Sequence, residues 1–179
     1  QCLTNRETMK QAPFLHRYTI PAKFTIFPWV ELTAQERMKI EQRDNGLNYP
    51  DELSPFREGK IEAISSLGVR YQEEVIAWSI FHRMLPNCVV YKLLFVKPEF
   101  RSSSLGASLI AASLNQQIAD ETVTEGMVIF LEENTTMTKF LNRRLAPYLT
   151  SINRFWKSSK LLQSSPVAKQ NNSPVHSLI

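Results

Sequence analysis

From Phe95 to Ile110 the chain reads Phe-Val-Lys-Pro-Glu-Phe-Arg-Ser-Ser-Ser-Leu-Gly-Ala-Ser-Leu-Ile. One arginine, three serines, a glycine and an alanine lie just before a run with helical periodicity. The first N–H groups of a helix have no partner inside it, and the helix dipole adds partial positive charge there. A phosphate is a natural ligand for such a place. Small residues let the backbone approach the anion, Arg101 adds charge, and Ser102, Ser103 and Ser104 add hydroxyl donors. The same residues also fit a plain joint between strand and helix with serines as caps.

The elements that must position this loop are legible on both sides. Val89 to Val96 is an apolar, strand-like run that Pro98 ends, because proline lacks the N–H a ladder needs. Leu105, Leu109, Ile110, Leu114 and Ile118 share one side of a helix. Ahead of them, Ile64–Tyr71 and Val75–Arg83 read as a hairpin joined by Gln72-Glu73-Glu74, the second strand apolar enough to be central. Phe24–Val30 reads as a first strand. Thr33 and Glu36 form a capping box for a helix to about Arg43, and residues 44–59 read as a loop. After the helix, Met127–Leu131 reads as another buried strand. Asn134 or Thr135 then caps a helix to about Leu145, and Tyr148–Trp156 is a last strand. Residues 1–22 read as a short helix or arm and 163–179 as a Ser/Asn/Gln/Pro-rich tail, leaving 23–162 as the domain.

A strand ending V-x-P-x-x-R, then R-x-x-G-x-G/A opening an amphipathic helix, resembles the acyl-coenzyme A motif of the GNAT superfamily of acetyltransferases. Here it is Val96-Lys97-Pro98-Glu99-Phe100-Arg101-Ser102-Ser103-Ser104-Leu105-Gly106-Ala107. Arg101, Gly106 and Ala107 fall in place. Ser104 stands where the family usually has its first glycine, so a Cβ there crowds the pyrophosphate or its hydroxyl donates to it. The resemblance implies an α/β fold with a mixed, largely antiparallel twisted sheet flanked by helices on both faces. It implies that Arg101–Ala107 bind the pyrophosphate of acetyl-CoA or another acyl-CoA, without a metal. It implies two parallel strands that splay, so that a pantetheine arm bonds to strand edges near Phe95 and Val96, with Asn134 and Phe140 beside it. Asn134 fits a simple helix cap equally well.

The implied reaction is N-acyl transfer, in which an amine attacks the thioester directly. The family often has Phe-Tyr in its last helix, the tyrosine serving as acid. Here the pair is Phe140-Leu141, and Tyr148 is only a loose substitute. Glu132, Glu133 and His82 are candidate bases. The two glutamates also fit a favourable charge pair near a helix start, and His82 a satisfied strand-end histidine.

The 179 residues, 43% hydrophobic and 21% charged, suit one soluble domain with a real core. No apolar run is long enough to cross a membrane and no signal peptide is visible. Two distant cysteines and three scattered histidines offer neither a disulfide framework nor metal-ligand spacing. A reducing compartment, the cytoplasm, is the default. The chain starts at Gln1, so it is either processed or a domain of something longer. After Glu133 there are seven basic residues and no acidic one, in a chain of net charge +4. That basic segment is a solvated face or meets an anionic partner, coenzyme A or an acidic acyl carrier protein. No motif for nucleic acid accompanies it. A catalytically silent binding domain, a carrier-protein donor, an unknown amine acceptor and a homodimer through Val175–Ile179 complete the expectations.

Overall fold

The computed structural model describes residues 1–44, 46–56, 59–129 and 134–153. Its strands are β1 (Cys2–Asn5), β2 (Thr25–Pro28), β3 (Leu67–Tyr71), β4 (Glu74–Leu85), β5 (Cys88–Val96), β6 (Glu125–Val128) and β7 (Ser151–Ile152). Its helices are α1 (Arg6–Met9), α2 (Phe14–Arg17), α3 (Ala34–Glu41), α4 (Leu105–Ala119) and α5 (Thr135–Phe140). The strands form one sheet in the order β2-β3-β4-β5-β6-β1-β7. Among the described residues only β5 and β6 run parallel; every other neighbouring pair is antiparallel. This is the mixed α/β sheet that the sequence implied.

The local choices follow from side-chain chemistry. Thr33 and Glu36 do form the capping box: Thr33 N–H donates to Glu36 Oε2 at 2.8 Å, and Glu36 N–H donates to Thr33 Oγ1. The β3–β4 turn is shorter than expected, because Gln72 and Glu73 both take left-handed φ (49° and 64°) and Glu74 is already in β4. Two left-handed residues match the twist of a tight hairpin. In α4, Leu105, Leu109, Ala111 and Leu114 are all fully buried, the apolar stripe that anchors the helix to the sheet.

The sheet has a core on each side. On one, α3 and the 46–56 loop cover Phe27, Trp29, Tyr49, Trp78, Leu93 and Phe95. On the other, α1, α2, α4 and the segment after α5 cover Phe81, Val89, Val96 and Val128. At the far end of β4 the guanidinium of Arg83, largely buried, pairs with Glu62 and with Asp120 (3.1 Å) and donates to Pro86 O (2.6 Å). It ties the segment before β3 to the turn after α4.

Three segments differ from the sequence reading. The start of the chain is no free arm: Cys2–Asn5 lies inside the sheet between β6 and β7, Cys2 opposite Val128 on one side and Ile152 on the other. The partner that a last strand needed is therefore the first strand. Second, β6 covers Glu125–Val128; Phe130 and Leu131 lie outside the described residues. Third, the final strand covers only Ser151–Ile152 there, and 154–179, with the domain boundary at 162 and Val175–Ile179, lie outside them.

Candidate functional site

The seam between β5 and β6 is paired from Cys88↔Glu125 to Tyr91↔Val128, and there the pairing stops. On the other edge of β5, Phe81 faces Tyr91 and Ile80 faces Leu93, so Lys92 has no partner. An extra residue of this kind bends a strand and sharpens its twist. Beyond it, among the described residues, Lys92–Val96 keep β4 on one edge and have no strand on the other. Lys97 N–H donates to Ile76 O at 2.8 Å, and residues two apart face the same neighbour. Phe95 therefore bonds toward β4, while Leu94 and Val96 present their backbone to the opened seam. This corrects the expectation for Phe95: it is 2% exposed and stacks on Trp78 at 4.3 Å. Leu94 takes its place at the edge.

The seam leads to the start of α4. Residues 98–103 make a short 3-10 helix, and Ser104 then turns left-handed at φ +55°. No side chain caps α4. Ser108 N–H donates to Ser104 O at 3.0 Å, and the N–H groups of the first turn before it have no partner within the helix. Arg101 folds back so that Nε donates to Val96 O at 2.9 Å, which leaves its two terminal nitrogens unbonded among the described residues. Ser103 Oγ donates to Phe100 O and is committed to the loop; Ser102 and Ser104 are exposed. A left-handed L-residue costs about 1–2 kcal/mol, so the backbone at Ser104 has the shape for which glycine is the usual residue. Gly106 has ordinary φ and room: a Cβ there would sit 3.5 Å from Val96 Cγ2.

The remaining candidates are scattered. Asn134 caps α5, its Oδ1 accepting from Met137 N–H at 3.0 Å. Phe140 packs edge-on to Phe14, and Leu141 is buried beside it. Tyr148 packs in the same cluster, and its backbone carbonyl accepts from Thr4 Oγ1 at 2.7 Å, holding β1 in place. Glu132 and Glu133 lie outside the described residues. His82 sits on β4 opposite Val90, 8% exposed, with no hydrogen-bond partner for Nε2 among the described residues. Burial, and then the nearby charge of Lys92, push its pKa below the ordinary histidine value. Among the described residues no group of His, Cys, Asp or Glu could hold a metal ion, and no helix is long and apolar enough to cross a membrane.

No protein-family model matches the chain, and no curated protein matches it in sequence. Solved structures do. A Drosophila protein is 19% identical, with TM-score 0.50 over 80% of this chain; this chain spans about half of it, 46%. The ribosomal-protein-S18-alanine N-acetyltransferase of Escherichia coli is 14% identical over 67% of this chain and 75% of its own, TM-score 0.48. AAC(6')-Iy, solved with the bisubstrate analog CoA-S-monomethyl-acetylneamine, is 16% identical over 76% and 97%, TM-score 0.49. With one parallel pair parting beside a strand–loop–helix joint among the described residues, and helices on both faces of the sheet, this chain has the mixed, largely antiparallel α/β arrangement that the resemblance implied.

Proposed function

We propose that this protein moves an acyl group from acyl-coenzyme A to an amine. The observation that carries the reading is the continuity of two features: the seam opened at Lys92 runs into the uncapped start of α4. The backbone of Leu94 and the N–H of Val96, whose carbonyl Arg101 already holds, offer an amide-bearing arm the bonds a neighbouring strand would otherwise make. The α4 N–H groups and Arg101 offer a pyrophosphate its donors. Ser102 and Ser104, both exposed, add hydroxyls to the same loop, and Gly106 leaves room beside it.

The chain's residues supply orientation first. A thioester held beside β5 with an amine on the α3 side of the sheet converts a bimolecular attack into a local one. Leu141, where a tyrosine acid was expected, is buried in the core. A thiolate is a stable leaving group, with an ordinary thiol pKa of about 8.5, so the step does not demand a strong acid. The buried Leu141 also favours a second reading, a coenzyme-binding module without turnover.

Calorimetry with acetyl-CoA and longer acyl-CoAs tests the site. Arg101→Glu is expected to weaken binding roughly tenfold or more, the worth of a charge-assisted hydrogen bond. Gly106→Trp, which places a ring over the Leu94–Val96 edge, is expected to abolish it. Absence of binding to any acyl-CoA overturns the assignment. Binding without turnover on any amine selects the second reading.

A further inference from the structure

We propose that the face of the molecule around α4 docks an acidic acyl carrier protein, which presents a pantetheine-bound acyl group to the β5–β6 seam. This rests on the acyl-transfer reading and adds a protein-borne donor to it.

Residues 8–30, 101–119 and 134–153 contain no Asp or Glu. The fold gathers these three distant stretches on one side of the sheet. Asn115 Nδ2 of α4 donates to Leu15 O of α2 at 3.1 Å, Phe14 of α2 meets Phe140 of α5 edge-on at 6.1 Å, and Phe24 meets Phe100, just before α4, at 5.7 Å. Their cations therefore share one surface. Arg17 on α2, Lys139 on α5 and Arg143 just after it are exposed, and none enters an ion pair or hydrogen bond among the described residues. Arg144 lies over the Tyr18 ring at 5.6 Å and Lys23 over the Phe24 ring at 5.0 Å. The helix α4 itself carries no charge.

The surroundings sharpen the contrast. Beside α3 the arginines are each paired: Arg37 with Glu41, Arg43 with Asp51 and Arg70 with Glu36. The acids bordering the α4 face are held as well, Glu7 by Lys10, Asp120 by Arg83 and Glu99 by Lys97. Glu121 is exposed, but it follows the far end of α4, about 22 Å from the start of that helix. A surface of one sign with its charges unspent attracts a partner of the other sign.

This surface adjoins the slot. Arg101 and the first N–H groups of α4 stand where the opened seam ends. Next along the chain from β6, which parts from β5 beyond Val128, comes α5. Ile110 of α4 and Met137 and Phe140 of α5 pack against one cluster. An arm leaving the seam at Arg101 thus emerges among the cations of the 18–24 segment, α2 and α5.

Coenzyme A and a carrier offer the seam the same chemistry, a pantetheine thioester behind a phosphate. The arm of a carrier ends in a single phosphodiester, which Arg101 and the α4 start can hold. Arg17, Lys139 and Arg143 are then left for the acidic protein that bears the arm. Nucleic acid fits less well, because among the described residues no aromatic ring is fully exposed for bases to stack on. A donor that must leave after each transfer needs only a small, polar, transient interface, steered by charge. In the transfer, the amine nitrogen bonds to the thioester carbonyl carbon and the C–S bond breaks. The thiol stays on the carrier, and the proton lost by the neutral amine goes to its thiolate.

The test measures, by calorimetry, the binding of octanoyl-CoA and of an acidic bacterial acyl carrier protein loaded with an octanoyl group. In the triple variant Arg17→Glu/Lys139→Glu/Arg143→Glu, carrier affinity is expected to fall roughly tenfold or more, with octanoyl-CoA binding within about twofold of wild type. Arg37→Glu, on the α3 face, is expected to change neither by more than about twofold. Salt at about 0.3 M weakens the wild-type carrier complex by a similar tenfold factor. A carrier that does not bind wild type, or binds the triple variant as well as wild type, overturns the proposal and leaves the coenzyme A site standing. Equal losses for both probes overturn it too, since the cations then serve the nucleotide of coenzyme A. So does a short single-stranded RNA that binds the wild type in place of the carrier. Carrier binding without octanoyl-CoA binding supports the carrier and overturns coenzyme A as donor. Absence of binding for both probes overturns both readings together.

Discussion

The two faces of the sheet solve the same packing problem differently. Under α3, Trp29, Trp78, Tyr49, Phe95 and Phe27 form a chain of ring contacts between 4.3 and 6.2 Å. Their polar tips are tied: Trp78 Nε1 donates to Leu53 O at 3.1 Å and Tyr49 Oη to Ile40 O at 2.8 Å. Under α4 the packing is more aliphatic, and Tyr91 Oη, Ser113 Oγ and Gln117 Oε1 are buried without partners among the described residues. Aromatic rings with a satisfied polar end fix both the position and the rotation of what they touch. The α3 face is thus a cast that pins the 46–56 loop, while the α4 face carries an unsatisfied interior and an uncapped helix start.

That contrast can be broken in measurable ways. Trp78→Ala removes the ring that Trp29, Tyr49 and Phe95 touch and is expected to cost about 3–5 kcal/mol in urea unfolding; a cost below 1 kcal/mol would mean the aromatic cast is no keystone. Next is acid. Hydrogen bonding to Arg70 is the main reason the Glu36 carboxyl lies at about 2 in the fold. Its folded value is below the unfolded one, so its contribution is present above about pH 4.5 and fades as pH falls through about 2, by up to about 3 kcal/mol. Unfolding midpoints of wild type and Glu36→Gln should converge over that window. Between the two tyrosines the sign itself discriminates. Tyr49→Phe should cost about 1 kcal/mol, whereas Tyr91→Phe should be neutral or stabilising, because its buried hydroxyl has only the Gln117 side chain beside it and makes no well-formed hydrogen bond. The smallest effect is Ser104→Gly, which relieves the left-handed backbone and should gain a few tenths to about 1 kcal/mol after the extra chain entropy of glycine.

The sequence was most legible where a local rule decides the structure. Pro98 ended its strand, Thr33 and Glu36 capped their helix, and the α4 stripe showed its period. The joint at Arg101–Ala107 is visible for the same reason. What escaped depended on partners far away in the chain. Tyr-Lys-Leu-Leu from 91 to 94 gives no sign that Lys92 is the odd residue, and a slip of one reverses which side each later residue faces. That is why Leu94, not Phe95, lies at the seam. Cys-Leu-Thr-Asn is too short and mixed to announce a strand, since its pairing residues lie more than a hundred positions on. Gly59 looked like loop composition; only the fold brings it over His82.

The placement of β1 bears on how the molecule assembles. β1 lies between β6 and β7 and joins them into the sheet. Its residues pair with 125–128 and 151–152, and Gln1 and Asn153 bond to one another through their backbones. Cys2–Asn5 have no docking edge until β6, more than a hundred residues on, is in place. Contacts of such long sequence separation carry a large loop-closure cost and arrive late. The β2–β5 meander, by contrast, joins strands close in sequence and can form as soon as it emerges. Thr4, held by the carbonyl of Tyr148, 144 positions away, is thus set in place near the end of folding.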